Sequence, residues 1–262
     1  MGYFPHLLLA SLSLTLSGCV AEEVSMELVG VRKFDPVTCQ VEFNKDEYVA
    51  LGLMDLVVAQ NYVANLEVRN RLEDNVALNN QTNSDGRVNT NNVTLQEVEL
   101  SYRDVEGVGL ELEPQRIVEI GQQLSSESDA KLAIGIELIT PAMATALIEN
   151  QELFFNDAGT ALARRSVKVE VSLQVRGVTF DGGEVESNRL NFPLSICTGC
   201  LISFPPELLR DEGGQTVCQI RTSEGENEDL CAPILGRDGN AVPCDLCQLF
   251  AVNEQSRPLC QP

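Results

Sequence analysis

Tryptophan is absent from this sequence, aromatic residues make up only 5% of it, and its single histidine is His6, beside an apolar N-terminal stretch. Past that stretch the chain has no imidazole. The Ser-His-Asp triad, the Cys-His dyad, the H-E-x-x-H zinc site and histidine acid–base work are therefore all unavailable. A sugar-stacking cleft has few rings to be built from, so carboxylate pairs among the 39 acidic residues do not point to a glycosidase. Basic side chains are scarce too: 18 Lys and Arg against 39 Asp and Glu leave a formal net charge of −21. That field repels a polyanion, and no Lys/Arg stripe overrides it, so nucleic acid is excluded as a partner and anionic lipid head groups are repelled. The acidity reads as solubility in the envelope, ahead of the alternative that it attracts divalent cations or a basic partner. No apolar run is long enough to span a bilayer as a helix, since residues 7–16 give about half of what is needed and residues 49–59 are interrupted by Asp55.

What is present starts with that first run. It ends in Leu16-Ser17-Gly18-Cys19, where small residues let a peptidase reach the backbone. This N-terminus resembles that of bacterial lipoproteins, the tetrapeptide standing as the lipobox. The resemblance covers residues 1–20 and implies that Cys19 receives a diacylglyceryl group and becomes the first residue of the exported chain. Two or three acyl chains, at about 0.8 kcal/mol per buried CH2, exceed what stable anchoring needs. Val20 stands where Asp would favour the inner membrane, so the implied destination is the outer membrane of a Gram-negative bacterium. The N-terminal segment, residues 1–6, departs from the pattern in having no Lys or Arg. Eukaryotic N-myristoylation is ruled out, because His6 occupies the position that needs Ser or Thr.

Cysteine usage divides the remainder. Apart from Cys19 and Cys39, the cysteines are Cys197, Cys200, Cys218, Cys231, Cys244, Cys247 and Cys260, all in the last quarter of the chain. Such density in an exported chain marks a disulfide-held module. Without Cys19 the number is even, and complete pairing requires Cys39 to bond a cysteine of the tail. An alternative is a zinc site from Cys197, Cys200, Cys244 and Cys247, two CxxC pairs whose separation exceeds the ~15–20 residues of compact zinc motifs. Disulfides are favoured in an oxidising envelope. A redox role for Cys197 and Cys200 is a further alternative, weakened by Pro205-Pro206, which follow where a helix should lower the thiol pKa.

Between the two sets the periodicity is that of strands. Val167, Val169, Val171, Leu173 and Val175 alternate with polar residues, as do Tyr62, Ala64, Leu66 and Val68; Leu132, Ile134, Ile136 and Leu138; and Leu190, Phe192, Leu194 and Ile196. Val93 and Leu95 are out of phase with Val98, Leu100 and Tyr102, which predicts one strand with a bulge near Gln96 and Glu97. Cys39, Val41 and Phe43 predict a shorter strand, residues 117–120 another, and Pro193 an edge position. Asp181-Gly182-Gly183 suits a tight hairpin, and residues 79–92 form a polar loop that fails as an EF-hand at both ends. Thr140-Pro141 opens one short helix.

The expected organisation is a signal peptide (1–18), an anchor segment and linker (19–36), an antiparallel β-sandwich of immunoglobulin-like, Greek-key type (37–196) and a loop-rich disulfide-braced module (197–262). The expected role is a non-enzymatic binding or structural lipoprotein without cofactors, meeting the membrane through Cys19 and a protein or cell-surface partner elsewhere. The alternative is an envelope enzyme using thiols, Cys197 and Cys200, or carboxylates.

Overall fold

The computed structural model describes residues 24–35, 38, 40–73, 89–110, 112–127, 130–150, 154, 165–219, 236–251 and 256–262. In chain order the elements are β1 (Met26–Arg32), β2 (Gly52–Asp55), β3 (Tyr62–Asn70), β4 (Val93–Asp104), β5 (Gln115–Glu119), β6 (Gln123–Leu124), β7 (Lys131–Ile139) and α1 (Pro141–Glu149). They continue with β8 (Ser166–Thr179), β9 (Glu184–Glu186), β10 (Leu190–Cys197), β11 (Ile202–Ser203), β12 (Leu209–Glu212), β13 (Gln215–Cys218), β14 (Val242–Pro243) and α2 (Cys244–Phe250).

Two sheets make the sandwich. The smaller has the order β1-β3-β7, and the larger β2-β10-β8-β4-β5, with β6 and β9 added at its margins. Every pairing within them is antiparallel except β2 with β10. The chain crosses between the sheets five times, at β1–β2, β2–β3, β3–β4, β6–β7 and β7–β8, the interleaving of an immunoglobulin-type Greek key. Alternation does the folding: Val167 to Val175 point inward at every second residue of β8 and meet Tyr62, Ala64, Leu66, Val68, Ile134, Ile136 and Leu138 from the opposite sheet in one apolar cluster. The bulge lies where the phase change placed it. Leu95 faces Gly177 and Glu97 faces Arg176, leaving Gln96 unmatched. Thr140 caps α1 by accepting from the Met143 amide at 3.2 Å, and Gly182, at φ 90°, turns the β8–β9 hairpin.

Three expectations change. The sandwich begins at Met26, inside residues 19–36: β1 pairs with β3 along its length, and its own bulge between Leu28 and Gly30 breaks the alternation that would have exposed it in the sequence. The strand expected around Cys39, Val41 and Phe43 reduces to a single bridge between Phe34 and Val41, with Cys39 outside the described residues. Pro193 is at an edge only locally, because β2 pairs with β10 from Leu194 to Cys197 and leaves Pro193 with β8 as its one neighbour.

Residues 42–48 are held against β1 by a buried charge. Arg32 and Glu67 have fully buried side chains and are hydrogen-bonded to each other. The rings of Phe43 and Tyr48 lie 5.4 and 4.6 Å from the guanidinium, and Arg32 also donates to the Lys45 carbonyl. Burial pushes the Glu67 carboxyl up, but hydrogen bonds from Arg32, Arg69 and Tyr48 outweigh it and hold the group below its ordinary value.

The chain enters the sandwich beside Ser187, which bridges to Met26 and donates its amide to Val175 on β8. It leaves at Cys197, opposite Ser166 at the start of the same strand.

Candidate functional site: the junction of sandwich and cysteine module

β2 ends on a carboxylate with no solvent exposure. Asp55 stands opposite Cys197 in the parallel pairing, and directly after it the backbone turns: the amides of Val58 and Ala59 return to the Asp55 carbonyl at 3.2 and 2.8 Å. The turn pushes Val57 into a second apolar cluster, otherwise made of Ile202, Leu208, Cys218, Val242, Cys244, Cys247 and Cys260. A sandwich residue thus completes the core of the module.

The Asp55 side chain fixes the other side of the junction. Oδ1 accepts the amides of Val57 at 3.1 Å and Gly199 at 2.8 Å, and Oδ2 accepts that of Leu201 at 2.9 Å. Burial pushes the Asp55 carboxyl up, opposed by the backbone amides of Leu201, Val57, Gly199 and Cys200. A carboxylate has about four lone-pair positions, and the amides of Val57, Gly199 and Leu201 occupy three of them. Gly199, at φ 70°, is where the loop must turn, and a Cβ there would lie 3.4 Å from Leu259. The result is a CxxC loop wrapped around a buried anion.

A second carboxylate fastens the module from the free edge of β2. Residues 236–238 lie along it, with Asp55 N donating to Gly236 O at 2.8 Å and Asp238 N to Leu53 O at 2.9 Å. Asp238 Oδ1 accepts from Tyr62 Oη at 2.7 Å and from Leu53 N at 3.1 Å. Arg237 donates to Asn61, whose amide donates in turn to Glu137 at 2.6 Å. Burial pushes Asp238 up and Arg237 down; Tyr62 is raised by burial and by the neighbouring Asp238.

Cysteine pairing in the described tail is Cys197–Cys200, Cys218–Cys244 and Cys247–Cys260, with Cα separations of 6.0, 6.2 and 5.5 Å. The four cysteines of the zinc alternative, Cys197, Cys200, Cys244 and Cys247, are thereby spread over three bridges rather than gathered into one tetrahedron. The group that does come together is a different one: an oxygen of Asp55 and the sulfurs of Cys197 and Cys200 lie within 4.8 Å of one another. In the disulfide neither sulfur is a thiolate, and the carboxylate is engaged by three amides, so this group is a clamp on a bridge. Cys19, Cys39 and Cys231 lie outside the described residues.

Sequence reasoning singled out the six cysteines and missed both carboxylates. Asp55 was visible as the one charge in an apolar run, yet its partners are 144 and 146 residues away. Asp238 had no signal at all. Compared with models of known protein families and with curated proteins, the chain matches none.

Proposed function

We propose that the chain is an envelope lipoprotein of a Gram-negative bacterium, held at the outer membrane by acyl chains on Cys19 and serving as a non-enzymatic binding or structural component. The observation that carries this reading is how buried charge is used. Arg32 and Glu67 secure a loop, while Asp55 and Asp238 fasten a disulfide-built cap onto an immunoglobulin-type body. Catalytic sites set ionisable groups against a space for substrate; here Arg32, Glu67, Asp55 and Asp238 each face backbone groups or a neighbouring side chain. Bridged cysteines in the tail fit an oxidising compartment. The sequence Leu16-Ser17-Gly18-Cys19 supplies the address.

The test is the state of Cys19. Intact mass of the native chain is expected to show a product beginning at Cys19 and carrying acyl groups, and Cys19→Ala is expected to abolish partitioning into detergent. A chain that still begins at Met1 with a bare thiol at Cys19 would remove the anchor and the location together.

A further inference from the structure

We propose that Cys197–Cys200 is an exchangeable disulfide, opened at Cys200 by an external thiolate and reclosed on a loop that Asp55 keeps in shape. Its reaction partner is a dithiol or disulfide of another molecule. This goes beyond a binding or structural role and does not depend on it.

Three observations single out this bridge. Cys197, Cys218, Cys244, Cys247 and Cys260 are buried, whereas Cys200 is partly exposed, so of the described bridges this is the one with a cysteine that solvent reaches. The other two bridges close separations of 26 and 13 residues and their sulfurs belong to the module core; Cys197 and Cys200 are only three apart and lie outside that cluster. Finally, their loop has another support. The amides of Gly199 and Leu201 are held by Asp55, and Cys197 is held by β10 pairing and by the Leu56 amide at 2.9 Å from its carbonyl. Opening the bond leaves both sulfurs in place for reclosure, which is what reversible exchange requires.

The chemistry balances without a further reagent. A thiolate of the partner dithiol attacks Cys200 Sγ, the bond to Cys197 breaks, and Cys197 leaves as a thiolate that takes up a proton. The partner's second thiol loses its proton and attacks the mixed disulfide, forming the partner's disulfide and releasing Cys200, which is protonated. Two electrons and two protons pass to the cysteine pair, and the reverse sequence reoxidises it. Asp55 is a positioning residue here.

The experiment equilibrates the full chain in a dithiothreitol series, alkylates free thiols and maps them by peptide mass spectrometry. Cys197 and Cys200 are expected to become labelled at reductant concentrations at least tenfold below those that open the other two bridges, with the far-ultraviolet β-sheet signal unchanged. Cys197→Ser is expected to leave Cys200 able to capture glutathione. Asp55→Asn is expected to move the pair's equilibrium about tenfold toward the dithiol, which is about 30 mV for two electrons; if that variant does not fold, the series on the unaltered chain decides alone. Simultaneous opening of the three described bridges, opening of this one last among them, or opening only with loss of the sheet signal would overturn the proposal. So would stoichiometric zinc uptake by the reduced chain that depends on Asp55, which would make the pair a metal site.

Discussion

The sandwich and the cysteine module solve the same problem with different means. In the sandwich, strands of up to 14 residues in β8 bring more than thirty apolar side chains into one cluster, and stability follows from area removed from water. The module has four cysteines among the eight buried residues of its cluster, and one of the other four, Val57, is borrowed from the turn after β2. Its strands run from two to four residues. Where burial is too small to order a chain, covalent closure and borrowed contacts take over. The junction is correspondingly polar: the buried Asp55 and the partly buried Asp238 each reach a backbone amide of the other unit.

The largest expected separation of the two comes from the buried ion pair. Arg32→Met removes the one partner of Glu67 that is itself fully buried, leaving Arg69 and Tyr48 on the carboxylate, and is expected to cost about 3 kcal/mol in denaturant unfolding followed by circular dichroism, the lower end for a broken buried pair, while the disulfide map of the tail stays as it is. If the tail bridges become reducible in that variant before the sheet melts, the two units are not independent. Next is Cys218→Ala combined with Cys244→Ala. Removing closure of this loop is expected to cost the module about 3 kcal/mol, read as faster amide exchange in β12, β13 and α2 with β8 still protected.

A pH series sharpens the contrast, because Glu67 and Asp238 are shifted in opposite directions. Glu67 is held below its ordinary value, so its contribution is complete above the unfolded-state pKa and is lost as pH falls through the folded one. Asp238 is raised by burial, so its folded state binds the proton more tightly, and its contribution is lost as pH rises from the unfolded value through the folded one. Asp238→Asn is therefore expected to flatten the decline in stability with rising pH, and Glu67→Gln to flatten the decline on acidification, both measured by urea midpoints. The smallest effect is expected at the cap of α1, where Thr140→Ala is expected to cost about 1 kcal/mol and to leave the disulfide map of the tail unchanged.

Local signals account for what could be read in advance. The alternation of Val167, Val169, Val171, Leu173 and Val175 is a property of one strand, and so is the phase change at Gln96; Thr140 and Pro141 signal a helix start within two residues. The interleaved sandwich followed from counting such strands. What stayed hidden depends on distant partners. β1 carries a bulge that disrupts its own pattern, and its match is β3, some forty residues later. The choice among tail cysteines is made by chain path, which spacing does not encode. Asp55 in an apolar run looks like a break in a strand until the amides of Gly199 and Leu201 arrive from the far side of the chain. The site is therefore legible in its sulfurs and illegible in its carboxylates, since bridge-forming residues announce themselves by type and a buried acid does so only through its donors.

The path of the chain through β8 has a mechanical corollary. Met26 comes in level with Val175 and Cys197 goes out level with Ser166. Nine residues of extended backbone, at about 3.3 Å each, put roughly 30 Å between those two levels. Tension applied between Met26 and Cys197 would therefore run along the length of β8 and load its ladder in shear, with the sulfur-rich cap at the opposite tip from the first strand's start.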